Sequence, residues 1–353
     1  MIADTSVFVL QSGVCCCFVG LVAGNVSTAM GTWSRDAVTL ALAPFFAVIA
    51  LLRFVAQLGC LNRLGTLAMV TALVSGSVCG ARKLAEEGSA AAAAGAWSSR
   101  PVADALILAS SVFFAFEGLG LVLVVEQEMA RPAAFPRVVV LAAATLTLAF
   151  LSLSLTCGLA FRGELQTASV IAFLATRSSG AQRFVLQVSN VLVTAAVFAT
   201  YPLQLLPASD VLTRWRRRCV ERRWPAADAP STLEALGPYA DGEPEEGAAS
   251  TALAAPTCKV PGWAAQRLAL VAACVAVTLA VGNIALLVAL FGAVGQTGLG
   301  ALAPGCHLAL MRAGVLPHSR ARAALDVVIV AFCLVIMVAG TCMALADIAS
   351  EHR

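Results

Sequence analysis

The stretch Phe113–Met129, FFAFEGLGLVLVVEQEM, decides how this chain is read. Glu117 stands near the middle of an otherwise apolar run from about Ala105 to Val125. An ionisable side chain at bilayer depth costs a few kcal/mol or more, so it faces the bundle interior or water rather than lipid. Gly118 and Gly120 follow, each weakening a helix by roughly 1 kcal/mol relative to Ala. A helix that breaks in mid-membrane frees backbone N–H and C=O groups, which are tolerated only where they line a cavity or lie buried in protein. Broken helices of this kind hold small charged substrates near the bilayer midplane. The competing reading is a Glu bonded to a neighbouring helix for packing alone.

Composition fixes the solvent. Of 353 residues, 60% are hydrophobic and only 12% charged, with a mean hydropathy of +0.88. Soluble domains carry about 25% charged residues, so the chain is an all-α, polytopic membrane helix bundle. The net charge of +3 is too small to argue for a nucleic-acid partner. Of the twelve cysteines, Cys15, Cys16, Cys17, Cys79, Cys157, Cys274, Cys333 and Cys342 fall in apolar spans, where a thiol behaves as a small hydrophobe. No Cys/His spacing points to a metal, and no cofactor is implied. The start, MIADTSVF, lacks the basic region of a cleavable signal peptide.

Working outward from Phe113, apolar runs of about twenty residues give nine expected spans. They run at about Ser6–Met30, Val38–Gln57, Leu64–Gly80, Ala105–Val125, Val138–Phe161 and Phe184–Leu206, then two between Leu268 and Met311 that turn near Gly282–Asn283, and Leu325–Ala346. The Ala/Gly/Ser-rich segment Glu86–Arg100 reads as a flexible connector, and Pro132 and Pro136 stop any helix continuing from the fourth span. Gly292, Gly295 and Gly298 recur every three residues along one helix face, a pattern that lets helices approach closely. His307, after Pro304-Gly305, is expected to cap or snorkel at a helix end.

The long polar segment divides the chain into residues 1–206, a loop over 207–266, and residues 267–353. The loop opens with the basic run Arg214–Arg223, turns acidic and Pro/Gly-rich at Asp241–Gly247, and shows no helical apolar period. It reads as largely disordered, with its basic part either a short interfacial helix touching anionic lipid or a plain stop-transfer and orientation signal. Placing this loop in the cytoplasm puts most of the 23 Lys and Arg residues inside, in keeping with the positive-inside rule, and puts the N-terminus inside too.

Four stretches together resemble one family. Phe113–Met129 with Arg131-Pro132 and Phe135-Pro136 is similar to the sixth span and following loop of the amino acid/auxin permeases, the eukaryotic amino acid transporters that include proton-coupled, vacuolar and sodium-coupled neutral members. Thr200–Pro207 (TYPLQLLP) resembles that family's eighth-span ending, Gln11–Cys16 (QSGVCC) its third span, and Gly340-Thr341 its last. The resemblance implies a partial inverted-repeat transporter fold, an amino acid substrate, a proton rather than sodium as coupling ion, and a plasma or vacuolar/lysosomal membrane. It also implies that the first two of eleven spans are missing, through an incomplete gene model, a fragment, or a genuinely shortened protein.

Carried over residue by residue, the resemblance puts Phe116, Gly118 and Gly120 along the substrate. Glu117 matches a family position with two roles open. It either bonds freed backbone groups and neighbouring helices, or carries the coupled proton if burial favours its neutral form. Gln11 is placed toward the cavity. Ser189, Asn190 and Thr194 form a small polar cluster, with Asn190 and Thr194 entered as substrate-binding candidates and interhelical hydrogen bonding as the alternative. The function expected is secondary transport of amino acids; a non-transporting sensor or scaffold, or an inactive fragment, is the alternative. Nothing resembling a HExxH, GxSxG or Ser–His arrangement suggests an enzyme.

Overall fold

A computed structural model describes residues 2–52, 59–87, 100–118, 126, 129, 131–161, 169–223, 262–317 and 319–351. Among them the chain is helical, in ten segments: α1 (Ile2–Met30), α2 (Arg35–Ala50), α3 (Gly59–Glu87), α4 (Pro101–Ala115), α5 (Phe135–Ala160), α6 (Val170–Arg177), α7 (Gly180–Arg223), α8 (Gly262–Val281), α9 (Ile284–Arg312) and α10 (Arg320–Glu351). Seven of these are long and apolar enough to cross a membrane; α4 is a shorter apolar helix. Each of the nine expected spans overlaps one of these helices, but α2 stops at Ala50 and α4 at Ala115, short of the ends expected at Gln57 and Val125; α6 is an additional short helix. The chain is therefore an integral, multi-pass membrane protein.

Lipid as solvent explains the outer surface. On α5, Val140 and Leu141 are 69% and 70% exposed, and large apolar side chains also face outward from α2 and α10. Burial is reserved for surfaces where helices meet. The main core joins α1 (Cys15, Cys16, Val19, Val22), α2 (Phe46, Ile49), α7 (Tyr201, Leu205) and α8 (Leu270, Cys274). Phe46 sits between the rings of Phe198 and Tyr201, with centroids 5.0 and 4.8 Å away, the second at an edge-on 60°. A second core packs Cys157 and Phe161 against Phe173, Leu174 and Leu186, so α7 is shared by both clusters.

Small residues and hydroxyls join the backbones. Thr278 Oγ1 donates to the Cys16 carbonyl at 3.0 Å, tying α8 to α1, and Cys157 Sγ reaches the Gly76 carbonyl at 3.5 Å, tying α5 to α3. The buried cysteines are free thiols filling close-approach positions. The Gly292/Gly295/Gly298 face serves two neighbours. A Cβ on Gly292 would meet the Ser110 carbonyl of α4, whereas one on Gly295 or Gly298 would meet Leu10 or Ser6 of α1.

Three expectations need correcting. The helix entering at Gly180 does not stop at Leu206; it runs through Pro202 and Pro207 to Arg223. Each proline removes one ladder bond, but Leu205, Ala208 and Val211 on the same helix are fully or almost fully buried, and that packing offsets the loss. The basic run is thus helical, and Arg214 and Arg218 both bond the Asp4 carboxylate of α1, at 3.0 and 3.1 Å. Helix α8 begins at Gly262, inside the segment expected to be loop. Finally, His307 lies within α9 rather than at its end, with Nδ1 2.5 Å from Asp326 Oδ2 of α10. The acidic stretch Asp241–Gly247 lies outside the described residues. The expected turn at Gly282–Asn283 is present: Gly282 has φ +68°, and Asn283 Oδ1 caps α9 by accepting from the Ala285 N–H at 3.0 Å.

Candidate functional site

Helix α4 is held at its start by Pro101 in the first turn, where a missing N–H costs nothing. Its fifteen residues span about 22 Å, short of the ~30 Å hydrocarbon core. The helix ends at Ala115. The Phe116 N–H closes a tighter turn onto the Phe113 carbonyl at 3.2 Å, and Glu117 and Gly118 continue in that tighter geometry. The break therefore falls at the FEGLG stretch. Gly120 lies outside the described residues.

Two buried groups meet this end. Gln296, fully buried in a π-helical turn of α9 (Gly292–Gln296), donates from Nε2 to the Phe116 carbonyl at 3.0 Å. The wider π turn is what brings a side chain of α9 across to α4, and such bulges recur at functional sites. Glu117 is half-buried, and its Oε2 is buried with no hydrogen-bond partner among the described residues. It lies within electrostatic reach of Cys15 and Cys17 on α1. A helix C-terminus carries partial negative charge, so the end of α4 and the Glu117 carboxylate add together, and the locality suits a proton or an ammonium group.

The other expected residues lie elsewhere. Asn25 Nδ2 donates to Thr194 Oγ1 at 2.8 Å, and Thr194 Oγ1 donates to the Asn190 carbonyl at 2.6 Å. These three line a mostly apolar groove of about 400 Å³ between α1, α2 and α7, with Val22, Leu42 and Phe198 among its walls. Along α1, Asn25 is ten residues from Cys15, or about 15 Å at 1.5 Å per residue. The structure thus brings Asn190 and Thr194 together with each other, at a level well removed from Glu117. Gln11 is 2% exposed, on the same face of α1 as Asn25 and four turns before it, and its Oε1 has no partner among the described residues. Its neighbour Leu10 packs against Gly295, which puts Gln11 and Gln296 at one level of the bundle.

Gln296 was not among the residues expected from sequence. The signal was there: among the 44 largely apolar residues from Leu268 to Met311, Asn283 falls at the expected turn, which leaves Gln296 as an amide within a span, an intramembrane polar group of the kind usually tied to function.

A sequence profile for the family described as transmembrane amino acid transporter protein matches residues 1–346. The chain belongs to this family. It is a membrane protein of amino acid transport and not an enzyme. No curated protein and no solved structure matches the chain. In this member of the transmembrane amino acid transporter family, the end of α4 brings together a carboxylate oxygen buried without a hydrogen-bond partner among the described residues and an amide that bridges to α9.

Proposed function

We propose that this transporter carries its amino acid through a site at the end of α4, lined by Phe116, Glu117 and Gly118, and that Glu117 couples the movement to protons. The observation that carries this reading is the buried Oε2 of Glu117, without a hydrogen-bond partner among the described residues, beside the end of α4. A carboxylate with no cation beside it in a low-dielectric site is stabilised by taking up a proton or by an incoming ammonium group. Binding one changes the affinity for the other, and that mutual dependence is what coupling requires. Residues of the chain do this work; no cofactor enters.

The test is uptake of a panel of labelled amino acids into proteoliposomes containing the purified protein, with and without an imposed pH gradient. Accumulation driven by an inward proton gradient is expected. Glu117→Gln, which cannot ionise, should lose the response to the gradient while still exchanging substrate across the membrane. Absence of uptake for every amino acid in the panel would overturn the transport reading. Undiminished gradient-driven accumulation by Glu117→Gln would remove Glu117 from the coupling role.

A further inference from the structure

We infer that Gln296 is a substrate-site residue: through Nε2 it latches the broken end of α4 to α9, and through Oε1 it accepts a hydrogen bond from the substrate's ammonium group. The inference rests on the reading of the α4 end as the transport site, and it adds a residue on a helix that reading does not use.

Three observations converge on it. The amide is fully buried, so both of its polar ends need partners. One end has found the Phe116 carbonyl, a backbone acceptor left over where α4 stops. The other, Oε1, has no hydrogen-bond partner among the described residues, and neither does Glu117 Oε2 next to the latched carbonyl. Two buried acceptors without donors among the described residues suit a ligand that brings N–H groups, and the ammonium group of an amino acid brings three.

The π turn explains how this amide is held in place. Gly292, at its start, lies so close to α4 that a Cβ would collide with the Ser110 carbonyl, and Gly295 abuts the backbone of Leu10 in α1. Close approach on both sides fixes the turn, so Gln296 is presented to Phe116 from a rigid support. Moving the end of α4 away from α9 breaks this bond, and that makes the amide a natural point for substrate to influence the position of the helix.

The experiment uses the purified full chain in detergent and in proteoliposomes, comparing wild type with Gln296→Met, which keeps the side chain's length and removes both polar ends. In detergent, amide hydrogen exchange over Phe113–Gly118 should quicken about fivefold, the loosening expected when one buried hydrogen bond is removed. Exchange in α7 and α8 should not change. In proteoliposomes the KM for uptake should rise about tenfold with the maximal rate within about twofold, the pattern of a lost substrate contact. Gln296→Glu, whose ionised form keeps an acceptor and loses the donor, should match Met in exchange and show a smaller rise in KM. Unchanged exchange at Phe113–Gly118, acceleration spread over the whole bundle, or an unaltered KM overturns the inference. Should wild type transport no amino acid at all, the transport reading falls by itself, and the exchange comparison still decides the latch.

Discussion

Arg267 of α8 donates from Nη1 to the carbonyl of Ala50 at 3.1 Å, so a buried guanidinium closes the C-terminal end of α2. It is only 3% exposed, and its charged plane lies 5.3 Å from the centroid of the Trp263 ring. The last carbonyls of a helix have no partner within it, and a cation there also meets the negative end of the helix dipole. Arg267→Ala should therefore leave a buried carbonyl unpaired and destabilise the bundle by about 1.5–3 kcal/mol. Arg267→Lys, with one donor group in place of a fork, should recover part of this. Thermal unfolding of the purified variants in detergent is the measurement, with Ala below Lys below wild type.

Two glycines of α9 give a matched pair. A Cβ on Gly292 would lie 2.0 Å from the Ser110 carbonyl, whereas one on Gly305 meets nothing within 4 Å. Gly292→Ala should push α4 off α9, lowering stability and abolishing uptake. Gly305→Ala should be neutral or stabilising by up to about 1 kcal/mol, since Ala is the better helix former. Equal behaviour of the two in a thermal shift assay would contradict the packing described between α4 and α9.

This contrast shows what could be read in advance. The Gly292/Gly295/Gly298 spacing announced a close-packed face, because a three-residue repeat of small side chains has one physical use in a membrane. It did not announce that the face would serve α1 and α4 together, since that depends on which helices meet. The break after Ala115 was legible for the same local reason: a buried carboxylate followed by glycines conflicts with a continuous helix. The end of α7 was not legible. Pro202 and Pro207 argue locally for a stop, and what carries the helix on is long-range: the burial of Leu205, Ala208 and Val211 against other helices. The role of Gln296 was not legible either, because the glycines around it account for the packing of that span and its partner, the Phe116 carbonyl, lies on a helix distant in the sequence. The pairing of His307 with Asp326 joins two helices and leaves no trace in the spacing of either.

The polar cluster in the groove between α1, α2 and α7 yields a third prediction. Asn25 and Thr194 satisfy each other at 2.8 Å, about 15 Å along α1 from the level of Glu117. Their bond is expected to hold helices and not substrate. Asn25→Leu and Thr194→Val, singly and together, should give a coupling of roughly 0.6 kcal/mol in stability, the usual size for such bonds in a membrane bundle. The KM for amino acid uptake should stay within about twofold of wild type in both. A KM raised tenfold by Thr194→Val would instead put the substrate in this groove.

The last prediction concerns the pair that holds the start of α4. Arg100 reaches both carboxylate oxygens of Asp347 near the end of α10, at 2.8 and 3.1 Å, and Asn283 Nδ2 bonds Glu351 one turn further along at 2.6 Å. Arg100 is exposed, so water and salt screen the pair and its worth to stability is small. Its geometry nonetheless joins the helix that bears the proposed transport site to α10, the last described helix. Asp347→Asn keeps the shape and removes the charge. It should lower the unfolding temperature slightly at low salt and not at all at about 1 M NaCl, where the screening length falls to ~3 Å. If α4 moves against α10 during transport, the same substitution should raise the maximal uptake rate at low salt, with the difference disappearing at high salt. A salt-independent effect would mean that Asp347 acts through packing, and an unchanged rate at every salt concentration would show that α4 and α10 move as one body.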